Sequence, residues 1–294
     1  MPRRLSSLTL RPRTLARPLA KTLHLFLIAA LLAGFAFALQ PAQPVYALIY
    51  DVDRTDDPAP GAPGTGCTAA ANDCSLRQAI IEANANPGLD TITFDAAVTD
   101  GVPIVLTIAP DATPDDNQDG DLDILVGGGD LTIQGNGAGA TIIDGGGIDR
   151  VFHVCPASSC AINVAFNGVT IQNGNTVSWG GGILNGGTTT VDASTVSANT
   201  ATSHGGGILN GATLNVQTGS VIGGAGAGNT ANGGGGIYNV MGTTTVDAGS
   251  AGADTATSHG GGIFSGGTLN VQNGSVIGGA GAGNTANFGG GIYH

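Results

Sequence analysis

A phrase of three glycines followed by isoleucine constrains this chain more than any other feature. It occurs as Gly180-Gly181-Gly182-Ile183-Leu184-Asn185, as Gly205-Gly206-Gly207-Ile208-Leu209-Asn210, and as Gly234-Gly235-Gly236-Ile237-Tyr238-Asn239. Two further copies follow, Gly260-Gly261-Gly262-Ile263-Phe264-Ser265 and Gly289-Gly290-Gly291-Ile292-Tyr293-His294. The copies start 25, 29, 26 and 29 residues apart, and residues 203–239 match residues 258–294 at all but six of 37 positions. The spacing alternates because a two-unit block is duplicated. Units this short, made of alternating strands and glycine turns, bury an apolar face only against their own copies, which defines a solenoid.

Glycine (52) and proline (13) are frequent enough to raise the question of low complexity. The glycines keep a period, however, and Val, Ile and Leu between them fall on alternate positions, which is strand patterning. Charge is just as uneven. Every basic residue except Arg54, Arg77 and Arg150 lies in the first 21 positions, and all 21 acids lie beyond position 50. Residues 1–47 have the form of an export signal: a basic leader, an apolar run from Leu23 to Leu39, and a small-residue cleavage site at Val45-Tyr46-Ala47. An uncut anchor is the rival reading, but the run is at the lower edge of a membrane span, and the polar, proline-bearing stretch before Ala47 favours cleavage. The expectation is a secreted or cell-surface protein with no integral membrane segment after cleavage. Its net charge would be 3 − 21 = −18. Such a surface repels nucleic acid and anionic lipid.

Residues 48–53 read as a first strand and are followed by a Pro/Gly/Asp loop. In an exported chain, Cys67, Cys74, Cys155 and Cys160 predict two local disulfides, 67–74 and 155–160, out of three pairings. Neither spacing suits a zinc knuckle. Ser75-Leu76-Arg77-Gln78 has the form of a capping box. Leu76, Ala79, Ile80 and Ala83 then share one face, predicting a helix over 75–86. From residue 90 short β-prone runs alternate with glycine turns: 90–94, 103–108, 121–126, 131–134, 141–143, 151–154 and 162–172.

Cys74-Ser75-Leu76-Arg77-Gln78-Ala79-Ile80, with Glu82-Ala83-Asn84 and Asp90-Thr91-Ile92-Thr93-Phe94 downstream, resembles the CSLREA domain of exported bacterial proteins; Gln78 stands where that family has glutamate. The glycine phrases are similar to one half of the polymorphic outer-membrane-protein repeat. Val196-Ser197-Ala198-Asn199 departs from the companion motif by having valine for phenylalanine. The resemblance implies an all-β, right-handed parallel β-helix on an exported protein. Residues 48–100 would form a CSLREA-like N-terminal cap with helix 75–86 as plug, and residues 101–294 the β-helix, with the glycine repeats at 180–294. The chain stops within a repeat, which predicts an open edge and a fragment of a longer product.

Aligned repeats place Thr188, Thr213, Thr243 and Thr268 in one outward ladder and Thr190, Asn215, Thr245 and Asn270 in another. A further ladder, Asn175, Asn199, Asn229, Asp254 and Asn284, precedes each glycine turn. Stacked amides of this kind hold coils in register. His204 and His259 are block duplicates two coils apart, roughly 10 Å, too far to share a metal through ~2 Å bonds. The loop from Asp115 carries oxygen donors at Asp115, Asn117, Asp119, Asp121 and Asp123 with Gly120 at the sixth position, the start of a calcium loop. Its twelfth position is Val126, so the bidentate glutamate is missing, and an acidic surface loop is the competing reading. Calcium is the one cofactor the sequence raises. An enzyme reading, a polysaccharide lyase or hydrolase, meets a shortage of groups. Residues 151–294 contain no Lys, Arg or Glu, with Asp192, Asp247 and Asp254 the only acids, and Arg150 with Asp144 and Asp149 is the mixed-charge cluster. The expectation is a non-enzymatic surface, adhesive or matrix protein with a surface ligand or polysaccharide as partner, and the carbohydrate-active enzyme as alternative.

Overall fold

The computed structural model describes residues 46–111, 117–156 and 160–294. The leader at 1–47 lies outside them except for Tyr46 and Ala47. Among the described residues no helix is long and apolar enough to cross a membrane.

The described residues from 46 onward belong to one compact unit. Its strands lie in four sheets, and every strand pairs in parallel with the equivalent strand of the next coil. Sheet 1 has eight strands, from Ile49–Val52 and Gly88–Phe94 to Thr268–Gln272. Sheets 2 and 3 have seven each, running from Ile104–Val105 to Val276–Ile277 and from Leu122–Ile124 to Ile292–Tyr293. A four-stranded sheet 4, Asn175–Thr176 to Thr255–His259, is inserted between them in the glycine repeats. The molecule is therefore a parallel β-solenoid.

The glycine phrase serves this stacking in two ways. Gly205, at φ +67°, turns the chain through a conformation that costs a side chain strain. Gly206 and Gly207 instead leave room for the next coil: a Cβ on either would come within 2.5 and 2.7 Å of the Gly235 and Gly236 carbonyl oxygens. The isoleucine that follows drops into the core. Ile183, Ile208, Ile237 and Ile263 stack in register beneath Phe152, all with no exposed surface.

Two amide ladders run inside the coils. Asn185 donates to Asn210 at 2.8 Å, Asn210 to Asn239 at 3.0 Å, and Asn239 to the Ser265 hydroxyl at 3.1 Å. The second passes from Asn199 to Asn229 at 3.1 Å and from Asn229 to Asp254 at 3.0 Å. Its predicted first member is wrong by one position. Asn175 pairs with Thr200 and stays exposed, while Gly174 takes the ladder place and donates its N–H to Asn199 Oδ1 at 2.8 Å. The outward ladders follow the predicted register, Thr188 to Thr213, Thr243 and Thr268, and Thr190 to Asn215, Thr245 and Asn270.

The predicted 162–172 strand is two strands, Asn163–Asn167 and Val169–Gln172, turned from sheet 1 into sheet 2 at Gly168 with φ +63°. Helix α1 spans Leu76–Ala85, and Ser75 accepts from the Gln78 N–H at 3.3 Å as predicted. Only half of the capping box forms. Gln78 turns away, accepting from Gly61 N–H at 2.7 Å and donating to Glu82 at 2.8 Å, because the 54–74 loop wraps the helix. Arg77, Gln78 and Glu82 are consequently buried along with Leu76, Ala79, Ile80 and Ala83. Cys67 is joined to Cys74 and Cys155 to Cys160.

Candidate functional site

Among the described residues two places gather chemistry. The first is the acidic loop. Of its predicted oxygen donors, Asp115 lies outside the described residues. Asn117 is buried and closes on the following strand, donating to the Asp123 carbonyl at 2.7 Å and accepting the Asp123 N–H at 2.8 Å. Asp119 accepts the Asp111 N–H at 3.0 Å. Asp121 pairs with the Arg150 guanidinium.

The centre of the turn holds a cation supplied by the chain itself. Arg77 is 1% exposed and binds Asp57 through Nε at 2.7 Å and Nη2 at 3.0 Å. Its remaining N–H groups reach the carbonyls of Asp119 (3.2 Å), Gly120 (2.8 Å) and Asp121 (3.2 Å). A buried guanidinium is tolerated only when paired and fully hydrogen-bonded, and this one satisfies all its donors. Arg77 thus takes up the carbonyls of this turn, a role the sequence did not reveal.

Asp121 and Asp123 do come together, joined by His153, their donor atoms lying within 4.8 Å of one another. His153 enters because Leu122-Asp123-Ile124 is in register with Phe152-His153-Val154, which sets Asp123 Oδ1 3.6 Å from His153 Nδ1. That shared apolar–polar–apolar pattern was the available signal for His153. Two carboxylates and an imidazole suit a transition metal better than calcium, which prefers an all-oxygen shell. A cation there competes with Arg150 for Asp121. Arg150 does not gather Asp144, which instead accepts from Gln172 at 2.9 Å and Asn173 at 2.6 Å.

The second place is a column of rings beside the glycine turns. Trp179, His204, Gly233, His259 and Phe288 pair in register coil by coil. A second column beside it carries Leu184, Leu209, Tyr238, Phe264 and Tyr293. Tyr238 and Phe264 stack with centroids 4.4 Å apart and planes at 4°, and Tyr293 continues the stack at 5.5 Å. His204 meets Tyr238 at 4.4 Å, and its duplicate His259 meets Tyr293 at 4.5 Å. Each imidazole Nδ1 is held by the preceding serine, Ser203 at 2.6 Å and Ser258 at 2.5 Å. Trp179 Nε1 donates to the same Ser203 hydroxyl at 3.0 Å. Burial lowers the His204 pKa, so the ring is neutral at physiological pH. Between the histidines opens a cleft of about 350 Å³, lined by both rings, Asn232, Gly233, Tyr238 and Ser258 among others.

The acids considered for hydrolysis do not form a pair. Asp192 and Asp247 flank Gln217 in register, two coils apart, and Asp254 is sealed inside the coil with no exposed surface. Fold and sites together define a parallel β-solenoid carrying a histidine–aromatic column. No family model, curated protein or solved structure matches the chain, and no family is identified.

Proposed function

We propose that this is an exported, non-enzymatic surface, adhesive or matrix protein, a right-handed solenoid closed at its start by α1. The observation that carries the reading is the absence of an acid–base pair in the repeats. Residues 151–294 have no Lys, Arg or Glu, and their carboxylates are separated by coils or buried. General acid–base cleavage of a glycan needs two such groups across one bond. The packing of α1 against the first strands and the acidic composition fit a capped extracellular scaffold whose partner is a surface ligand or polysaccharide.

The alternative, a carbohydrate-active enzyme, draws on Asp121, Asp123, His153 and Arg150, where, among the described residues, acids, a base and a cation meet. The test is incubation of the full chain with a polysaccharide panel, with and without added divalent metal. No new reducing ends or unsaturated products are expected. Product formation abolished by Asp123→Asn would establish the enzyme instead.

A further inference from the structure

The duplicated block supplies its own comparison. Gly233 and Phe288 occupy equivalent positions, one of the six differences between residues 203–239 and 258–294. In the second copy the Phe288 ring lies on His259, centroids 4.9 Å apart and planes at 19°, while Tyr293 touches the same imidazole from the side. In the first copy Tyr238 touches His204 in the same way, but glycine leaves the stacked position without a ring. The column thus reads Trp179, His204, gap, His259, Phe288.

The gap has the dimensions of one ring. His204 and His259 are two coils apart, roughly 10 Å. Stacked centroids elsewhere in these columns are separated by 4.4 to 5.5 Å, and two such steps span that distance. A Cβ built on Gly233 would lie 3.1 Å from His204 Cδ2 and 3.3 Å from Tyr238 Cε2, so these atoms form the wall and floor. At the rim Asn232 uses its amide N–H on Thr257 at 3.1 Å, which leaves its carbonyl oxygen as an acceptor. No Asp, Glu, Lys or Arg lines the cleft, so its walls offer a charged group no ionic partner. A nucleic acid, which needs cationic groove walls as well as stacking rings, does not fit.

We propose that the gap at Gly233 is a binding site for a small molecule with one flat, uncharged aromatic ring, sandwiched between His204 and His259. A polar hydrogen on the ring edge, as in a phenol or a nitrogen heterocycle, would meet Asn232 at the rim. The assignment goes beyond the surface-protein reading and stands without it, because it requires neither catalysis nor a surface partner.

The test is proton NMR of the full chain titrated with p-cresol and with indole, using cyclohexanol as the non-aromatic control. A ring held between the imidazoles shifts the carbon-bound protons of both His204 and His259 upfield, with saturation at a dissociation constant on the order of 1 mM for a single stacked ring. Gly233→Phe copies the second block, fills the gap, and should weaken binding at least tenfold while keeping the protein folded. His204→Gln should weaken it without filling anything. The proposal is overturned if neither histidine shifts, if Gly233→Phe leaves the titration unchanged, or if cyclohexanol binds equally well.

Discussion

Asp254 stands where the inner ladder otherwise carries asparagine, and the consequence is a pH-dependent fold. Its Oδ1 accepts from the Asn229 N–H at 2.8 Å and the Asn229 amide at 3.0 Å, as an asparagine carbonyl would. Its Oδ2 lies where the ladder needs a donor and has no hydrogen-bond partner. Burial, opposed only in part by the two Asn229 hydrogen bonds, raises its pKa from 3.8 to about 8. The folded state therefore holds a proton that the unfolded state has released. Between pH 3.8 and about 8 stability falls as pH rises, and outside that window this group contributes no slope. Each pH unit in the window is worth about 1.4 kcal/mol, so from 3.8 to pH 7 the cost is about 4 kcal/mol. Asp254→Asn restores the donor and removes the titration. The variant should be more stable than the parent by about 2–4 kcal/mol at pH 7, and the gain should shrink toward zero near pH 4. Urea unfolding of both proteins between pH 4 and 8.5 measures the difference and cancels all shared groups. A gain that does not vary with pH, or a variant weaker at pH 7, would refute the reasoning.

Cleavage after Ala47 would place a new ammonium on Asp90. The Leu48 N–H already donates to Asp90 Oδ1 at 2.9 Å, and the buried Oδ2 has no hydrogen-bond partner. A chain starting at Leu48 should unfold about 1–3 kcal/mol less readily than one starting at Tyr46, and Asp90→Asn should erase the difference in thermal unfolding. Arg77→Met leaves the buried Asp57 carboxylate without its counter-charge and the three turn carbonyls without their donors, so it should destabilise by about 3–5 kcal/mol in chemical denaturation. Arg77→Lys should recover little of that loss, since an ammonium cannot reproduce five planar donors.

The solenoid was legible because glycine phrases and alternating apolar residues recur with the coil, and the paired strands obey that register. The inner ladder was legible from Asn199 onward but not at Asn175, where one residue of slip exchanges inside for outside. Arg77 sat within a recognised motif, yet its partners at Asp57 and residues 119–121 lie 20 to 44 positions away and come together only through the winding of the first coils. His153 left one signal, the pattern Phe152-His153-Val154 shares with Leu122-Asp123-Ile124, and the gap at Gly233 another, the glycine standing where the second block has Phe288. Each depends on which side chain stands one coil above or below, and a sequence period that alternates between short and long units obscures that neighbour.

The central claim is that residues 180–294 are coils sharing one stacked core, and the isoleucine column tests it most directly. Ile237 is fully buried between Ile208 and Ile263, whereas Ile292 is 39% exposed at the last strand of sheet 3. An aspartate at Ile237 leaves an unpaired carboxylate between two coils, at a cost of several kcal/mol, and the same change at Ile292 leaves it near water. The thermal midpoint of Ile237→Asp should therefore fall far below that of Ile292→Asp. Equal and small losses in the two variants would contradict a shared core and the solenoid built on it.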